Sequence, residues 1–189
     1  MAIEHNVITD PEIHEPKGVA AATIGQAYLA DGVGSGDWTT ITPAFGWMYL
    51  NGGAGTDTVS TIGTTAQKLN IFAASSGSTY GVNAAHATGT LTTSINGIYL
   101  TNFHITFALS AVGDAGDYVF RLTADDVTSF GGCKVTTSAD SILYTASFQT
   151  MDSWSGNVLS IYVSSDEAGD TDDIIVYEAG FSTTLLERI

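Results

Sequence analysis

In three stretches between residues 97 and 149 apolar and polar side chains alternate with a period of two, the repeat of a β-strand with one covered and one wet face. In GIYLTNFHITFALSAV (97–112), Tyr99, Phe103, Ile105, Phe107 and Leu109 fall on one side, and Asn102, His104, Thr106 and Ser110 on the other. DYVFRLT (117–123) sets Tyr118, Phe120 and Leu122 against Val119 and Arg121. SILYTASFQ (141–149) sets Ile142, Tyr144, Ala146 and Phe148 against Leu143, Thr145, Ser147 and Gln149. NVLSIYV (157–163) and DIIVYEAGF (173–181) are apolar on both sides, which predicts strands held between a core and a second covered surface. GWMYLN, KLNIFA, TYGVNA and TLTTSI predict shorter strands ahead of these. No stretch carries a clear helical period. About eight to ten strands, with turn residues every ten or so positions, predict an all-β protein built as a jelly-roll β-sandwich.

The first 43 residues have a different texture. They hold all three prolines, Pro11, Pro16 and Pro43. HEPKGVAAAT is short and broken by Pro and Gly, so an extended arm is expected there in place of a helix. GQAYLA, DGVGSG and DWTTI then read as strand, glycine-rich tip and strand of a β-hairpin. The expected organisation is an N-terminal arm with a hairpin over 1–43 and a jelly-roll domain over 44–189.

Composition narrows the function classes. Apolar residues make up 44% of the chain and charged residues only 13%, so there is material for a core and the surface is largely Thr, Ser, Asn and Gly. Twenty acids stand against five scattered bases, a net charge of −15. Neutralising nucleic-acid phosphates needs clustered Lys and Arg, so nucleic acid is not an expected partner, and an anionic membrane is disfavoured for the same reason. MAIEHNVITD has no basic and then apolar stretch of a targeting signal. Cys133 is the single cysteine, so no intrachain disulfide is available and a buried free thiol is expected.

The chemical motifs are weak. GGAGTDTV (52–59) matches one copy of a calcium-binding nonapeptide, but such turns complete one another's ligand sets only when stacked, so a Gly-rich loop is the better reading. SSDEAGDTDD (164–173) gathers Asp166, Glu167, Asp170, Asp172 and Asp173 without the spacing of a calcium loop, which favours a solvated turn. His5, His14, His86 and His104 share no metal-ligand spacing. No nucleophile elbow, phosphate loop or zinc-protease motif is present, and the expectation is no catalytic residue, no metal site and no cofactor. Strands apolar on both faces carry more greasy surface than one sandwich hides, which points to self-association.

HEPKGVAAATIGQAYLADGVGSGDW (14–38) resembles an N-terminal motif of structural proteins of tailed bacteriophages, notably head-fibre and capsid decoration (cement) proteins. The resemblance rests on His14, Pro16, Lys17, Gly18, Gln26, Tyr28, Asp31, Gly32, Gly34, Gly36 and Trp38. It implies an arm that docks on a phage major capsid protein at the outer surface of the virion. The rest of the chain is similar to the trimeric jelly rolls of the tumour-necrosis-factor and complement-C1q-like type. NGIYLTNFHITFAL, SWSGNVLSIYV (with Asn157 where the family has Asp) and IIVYEAGFSTTLLERI carry that likeness. It implies a homotrimer packed around an axis, with Tyr144 and Phe181 at the trimer interface. Together these imply a non-enzymatic decoration protein that stabilises a shell. The alternative is a fibre tip that binds a host-surface glycan through Trp38, Trp47 and Trp154. A small hydrolase on the same fold has no motif in its favour.

Overall fold

The computed structural model describes residues 26–30, 36–40, 43–51, 57–73, 76–140, 142–166 and 172–189. The chain divides into two compact units, residues 1–42 and 43–189. In the first, β1 (Gln26–Ala30) and β2 (Gly36–Thr40) form an antiparallel hairpin, with Tyr28 opposite Trp38.

The second unit has twelve described strands, more than the alternation predicts. In chain order they are β3 (Phe45–Asn51), β4 (Asp57–Ile62), β5 (Gln67–Lys68), β6 (Ser76–Tyr80), β7 (Val82–Ala85) and β8 (Thr90–Thr93). They continue with β9 (Gly97–Leu109), β10 (Asp117–Ala124), β11 (Thr128–Thr136), β12 (Tyr144–Trp154), β13 (Val158–Ser164) and β14 (Asp172–Arg188). They build two six-stranded sheets. One runs β11-β10-β13-β8-β7, with β5 also on β13; the other runs β12-β9-β14-β3-β6, with β4 also on β14. All pairings are antiparallel.

The alternation read from the sequence sets which side chains go inside. Tyr99, Phe103, Ile105, Phe107 and Leu109 of β9 are all buried, as are Tyr118, Phe120 and Leu122 of β10 and Leu159, Ile161 and Val163 of β13. Rings lock the two sheets together: Phe103 and Phe107 lie 5.8 and 5.6 Å from Phe120, and Phe107 lies 5.7 Å from Tyr118. Such aromatic pairs contribute about 0.5–1.5 kcal/mol each beyond the area they bury.

Two departures from simple alternation shape the fold. Between β6 and β7 the chain leaves one sheet and joins the other within a single residue, Gly81 (φ +64°), where a Cβ would sit 2.8 Å from the Cβ of Ala44. A left-handed backbone at that close approach needs glycine. The second is a β-bulge in β14 between Val176 and Glu178, the point where its neighbour changes from β4 to β3. The bulge reverses the parity of the side chains that follow, up to a second register shift between Leu185 and Glu187.

Two strands were missed. β4 lies within and beyond the Gly-rich stretch read as a loop, and Asp57 opens it opposite Val176. β11 carries Gly131 and Gly132 in its middle and has no apolar stripe to announce it. KLNIFA is strand only at Lys68; Leu69 to Phe72 run as irregular backbone, with Leu69 N–H donating to Ile161 O at 2.8 Å.

Candidate functional site

Of the arm positions, His14, Pro16, Lys17, Gly18, Asp31, Gly32 and Gly34 lie outside the described residues, as do residues 52–56 and 167–171. Gln26, Tyr28, Gly36 and Trp38 are described, and all sit in the hairpin. The rings of Tyr28 and Trp38 meet edge to face at 5.5 Å, and Gln26 Nε2 donates to Trp38 O at 3.4 Å. Gly36 is pressed against β1: a Cβ there would lie 2.3 Å from Leu29 O. The motif residues within reach therefore make the hairpin itself.

In the jelly-roll unit, the face of β12-β9-β14-β3-β6 turned away from the core is organised in rows by the strand register. One row reads Met151, Leu100, Thr184, Phe45, Tyr80. The next reads Gln149, Asn102, Ser182, Trp47, and the third Ser147, His104, Gly180, Tyr49. Met151 is 64% exposed, Tyr80 43% and Trp47 38%, while Leu100, Phe45 and Ile98 are half-buried. Large apolar side chains thus cluster on one end of a sheet face, with polar groups beyond them.

The polar end is ordered by hydrogen bonds. Tyr49 Oη donates to Glu178 Oε1 at 2.8 Å, and His104 Nε2 lies 3.6 Å from the same oxygen. The bond to Glu178 raises the Tyr49 pKa, since a phenolate there would face a carboxylate. Gln149 Nε2 donates to Asn102 Oδ1 at 2.6 Å. Beside Gly180 a cavity of about 270 Å³ opens between Trp47, Tyr49, Asn102, His104 and Ser182.

Phe181 and Tyr144 do not lie on this face. Counting by twos from Ile175 would turn Phe181 outward, but the bulge at Tyr177 turns it inward. It is 1% exposed and its ring stands 6.4 Å from that of Phe72. Tyr144 packs on Phe107 at 5.8 Å and its phenol is held by Ser138 N–H and Ala139 N–H, which also lower its pKa. The residues of β14 that flank Phe181 and face outward are Gly180 and Ser182.

The remaining candidates have local roles. Trp154 is 2% exposed, stacked edge-on to Phe130 at 4.5 Å, and Trp38 is half-buried in the hairpin, so Trp47 is the exposed tryptophan among the three. The acidic stretch is taken apart by the fold. Asp166 Oδ1 accepts Asp117 N–H at 2.7 Å, Asp173 Oδ1 accepts Thr61 N–H at 2.9 Å, and Asp172 turns into the core. Among the described residues no three His, Cys, Asp or Glu side chains converge as a metal site requires. The Cys133 thiol is half-buried, and burial raises its pKa, which keeps it unreactive. No helix of the described residues is long and apolar enough to cross a membrane.

The departure at Asn157 has a structural reason. Its Oδ1 accepts Ser155 N–H at 2.8 Å, and its Nδ2 donates to Asp125 Oδ2 at 2.7 Å. Asp125, at φ +53° in the turn after β10, also accepts Val158 N–H at 2.8 Å. An aspartate at 157 would set two carboxylates against each other.

No family model matches the chain, and no curated protein does. Solved structures do. Eiger TNF from S. frugiperda aligns with a TM-score of 0.53 at 13% identity, over 78% of this chain and 95% of that one. Murine APRIL at pH 5.0 gives 0.49 at 8% identity over 77% of this chain and all of its own. The globular domain of zebrafish complement 1qA gives 0.46 at 17% identity over 78% of this chain and all of its own. With its two facing antiparallel sheets and the alignment to Eiger, the second unit has the tumour-necrosis-factor/C1q-like jelly-roll fold.

Proposed function

We propose that this chain is a non-enzymatic virion structural protein: a homotrimer that decorates the outer surface of a phage capsid and stabilises the shell. The observation that carries self-association is the outward row Met151, Leu100, Thr184, Phe45, Tyr80 with Trp47 beside it, in which Met151, Tyr80 and Trp47 are exposed, an apolar patch on a chain of net charge −15. Three copies that bury this face against one another remove it from water while leaving their acidic surfaces outside. The jelly-roll fold is compatible with that arrangement. The capsid role is supported by the resemblance of residues 14–38 to the head motif of decoration proteins. An arm tethered to a trimer multiplies a weak contact by its effective concentration, so three arms grip a shell better than one.

The test is co-sedimentation with purified shells. The full chain is expected to pellet with them, and a chain lacking residues 1–43 to stay in the supernatant while still self-associated. Shell binding by the truncated chain would overturn the docking role of the arm. The glycan-tip alternative keeps one exposed tryptophan, Trp47, and that residue lies on the face assigned to self-association.

A further inference from the structure

Another cavity among the described residues lies on the opposite side, on the outward face of β11-β10-β13-β5. The register aligns a row Gly132, Arg121, Tyr162, Lys68 across these four strands, with Lys134 and Val119 paired in the adjoining row. Three of the five basic residues in the chain therefore share one sheet face. Two already have acidic partners: Lys68 Nζ binds Asp126 Oδ2 at 2.8 Å and stands 5.9 Å over the Tyr162 ring, and Lys134 binds Asp117. Arg121 has neither an ion pair nor a hydrogen bond among the described residues.

Beside Arg121 the surface is hollowed. A shallow, open cavity of about 310 Å³ lies between Val119, Arg121, Ser129, Gly132, Cys133 and Lys134. That volume is at the lower end of the range for small-molecule sites. Gly132 has no alternative, since a Cβ there would lie 2.2 Å from Phe120 O. Arg121 lines this hollow.

We infer that this hollow binds a small carboxylate ligand of the size of a single sugar acid, held by the Arg121 guanidinium with Lys134 at its rim. A planar guanidinium offers paired N–H donors that match a carboxylate. An ammonium already shared with Asp117 adds charge without displacing that role. Ser129 offers a hydroxyl at the lining that the hydroxyl groups of a sugar ring would use. The net charge of −15 opposes an anion at long range, but at physiological salt that field decays over about 8 Å, so the contact is short-ranged and weak. This site does not depend on the proposed trimer, because it lies on the sheet opposite the apolar row.

The test is an amide-resonance titration of the full chain with sodium glucuronate at constant ionic strength, with glucose and inorganic phosphate as parallel arms. Saturable shifts confined to Gly131, Gly132 and Lys134, with millimolar affinity, are expected from glucuronate and not from glucose. Arg121→Gln is expected to weaken binding about tenfold or more, and Lys134→Gln by less, with both variants keeping the wild-type dispersion of resonances. A glucuronate-capped oligosaccharide that binds no more weakly than the free acid assigns the ligand to the end of a glycan chain; weaker binding assigns it to the free acid. The inference is overturned by the absence of saturable shifts, by equal shifts in Arg121→Gln, or by tighter binding of phosphate than of glucuronate.

Discussion

The imidazole of His104 occupies the space over Gly180 on the neighbouring strand: a Cβ at position 180 would lie 2.1 Å from Cε1 of that ring. The absence of a side chain at 180 is what gives the His104 ring its place, with Nε2 3.6 Å from Glu178 Oε1, at the cavity it lines with Trp47. Gly180→Ala must therefore swing His104 outward and roughen the face assigned to self-association. The subunit fold is expected to change by only about 1 kcal/mol, since the strand pairing is untouched. Association, measured by sedimentation, is expected to weaken at least about tenfold, or about 1.4 kcal/mol.

Phe181 and Met151 separate fold from assembly. Phe181 fills the core beside Phe72, and Phe181→Ala is expected to cost about 3–5 kcal/mol, the usual penalty for emptying a large aromatic site. Met151 projects into solvent, so Met151→Ser is expected to leave subunit stability unchanged and to lower the dependence of the melting temperature on protein concentration. Equal melting behaviour in the two variants would contradict the division of roles.

Asp172 is 1% exposed and its Oδ2 accepts no hydrogen bond. Burial raises its folded-state pKa; hydrogen bonding with Ser165 and Tyr118 works against this, the nearby Asp114 adds to it, and the net direction is upward. The folded state then holds this proton more tightly than the unfolded chain, so the contribution of Asp172 is most favourable below the unfolded value, about 3.9, and is lost as pH rises through the folded value. Asp172→Asn is expected to raise stability at pH 7 by about 1–2 kcal/mol, with the gain shrinking toward acid pH. Asp117 titrates with the opposite sign, because Lys134 and Thr136 lower its pKa, so the comparison is variant against wild type at each pH. A variant less stable than wild type at pH 7 would refute the assignment.

Asn157→Asp tests the turn that joins β12 to β13. The substitution replaces an amide that donates to Asp125 with a second carboxylate at 2.7 Å. A loss of about 1–3 kcal/mol is expected at pH 7, recovering as the pH falls into the carboxylate range and one of the two acids takes up a proton. Chemical denaturation at pH 7 and pH 4 checks both parts.

What could be read from the sequence was what packing enforces over several residues. β9 alternates without interruption from Gly97 to Phe107 and packs between two other strands, so its inner face was legible. β11 was not, because an edge strand with two adjacent glycines buries too little to leave a stripe. The resemblance that implies an interface place for Phe181 carries no sign of the one-residue bulge that turns residues 179 to 185 over, and a bulge has no signature in hydropathy either. The outward rows were invisible for a related reason. Met151, Leu100, Phe45 and Tyr80 are far apart in the chain, and only the register of four strand pairs makes them neighbours.

Sedimentation equilibrium of the full chain at micromolar concentration addresses the central claim most directly. A species of three times the 19.7 kDa subunit mass, shifting toward the monomer in Met151→Ser, is the predicted result. A wild-type chain that stays at 19.7 kDa across that range, with the Met151 row still exposed to water, would contradict it.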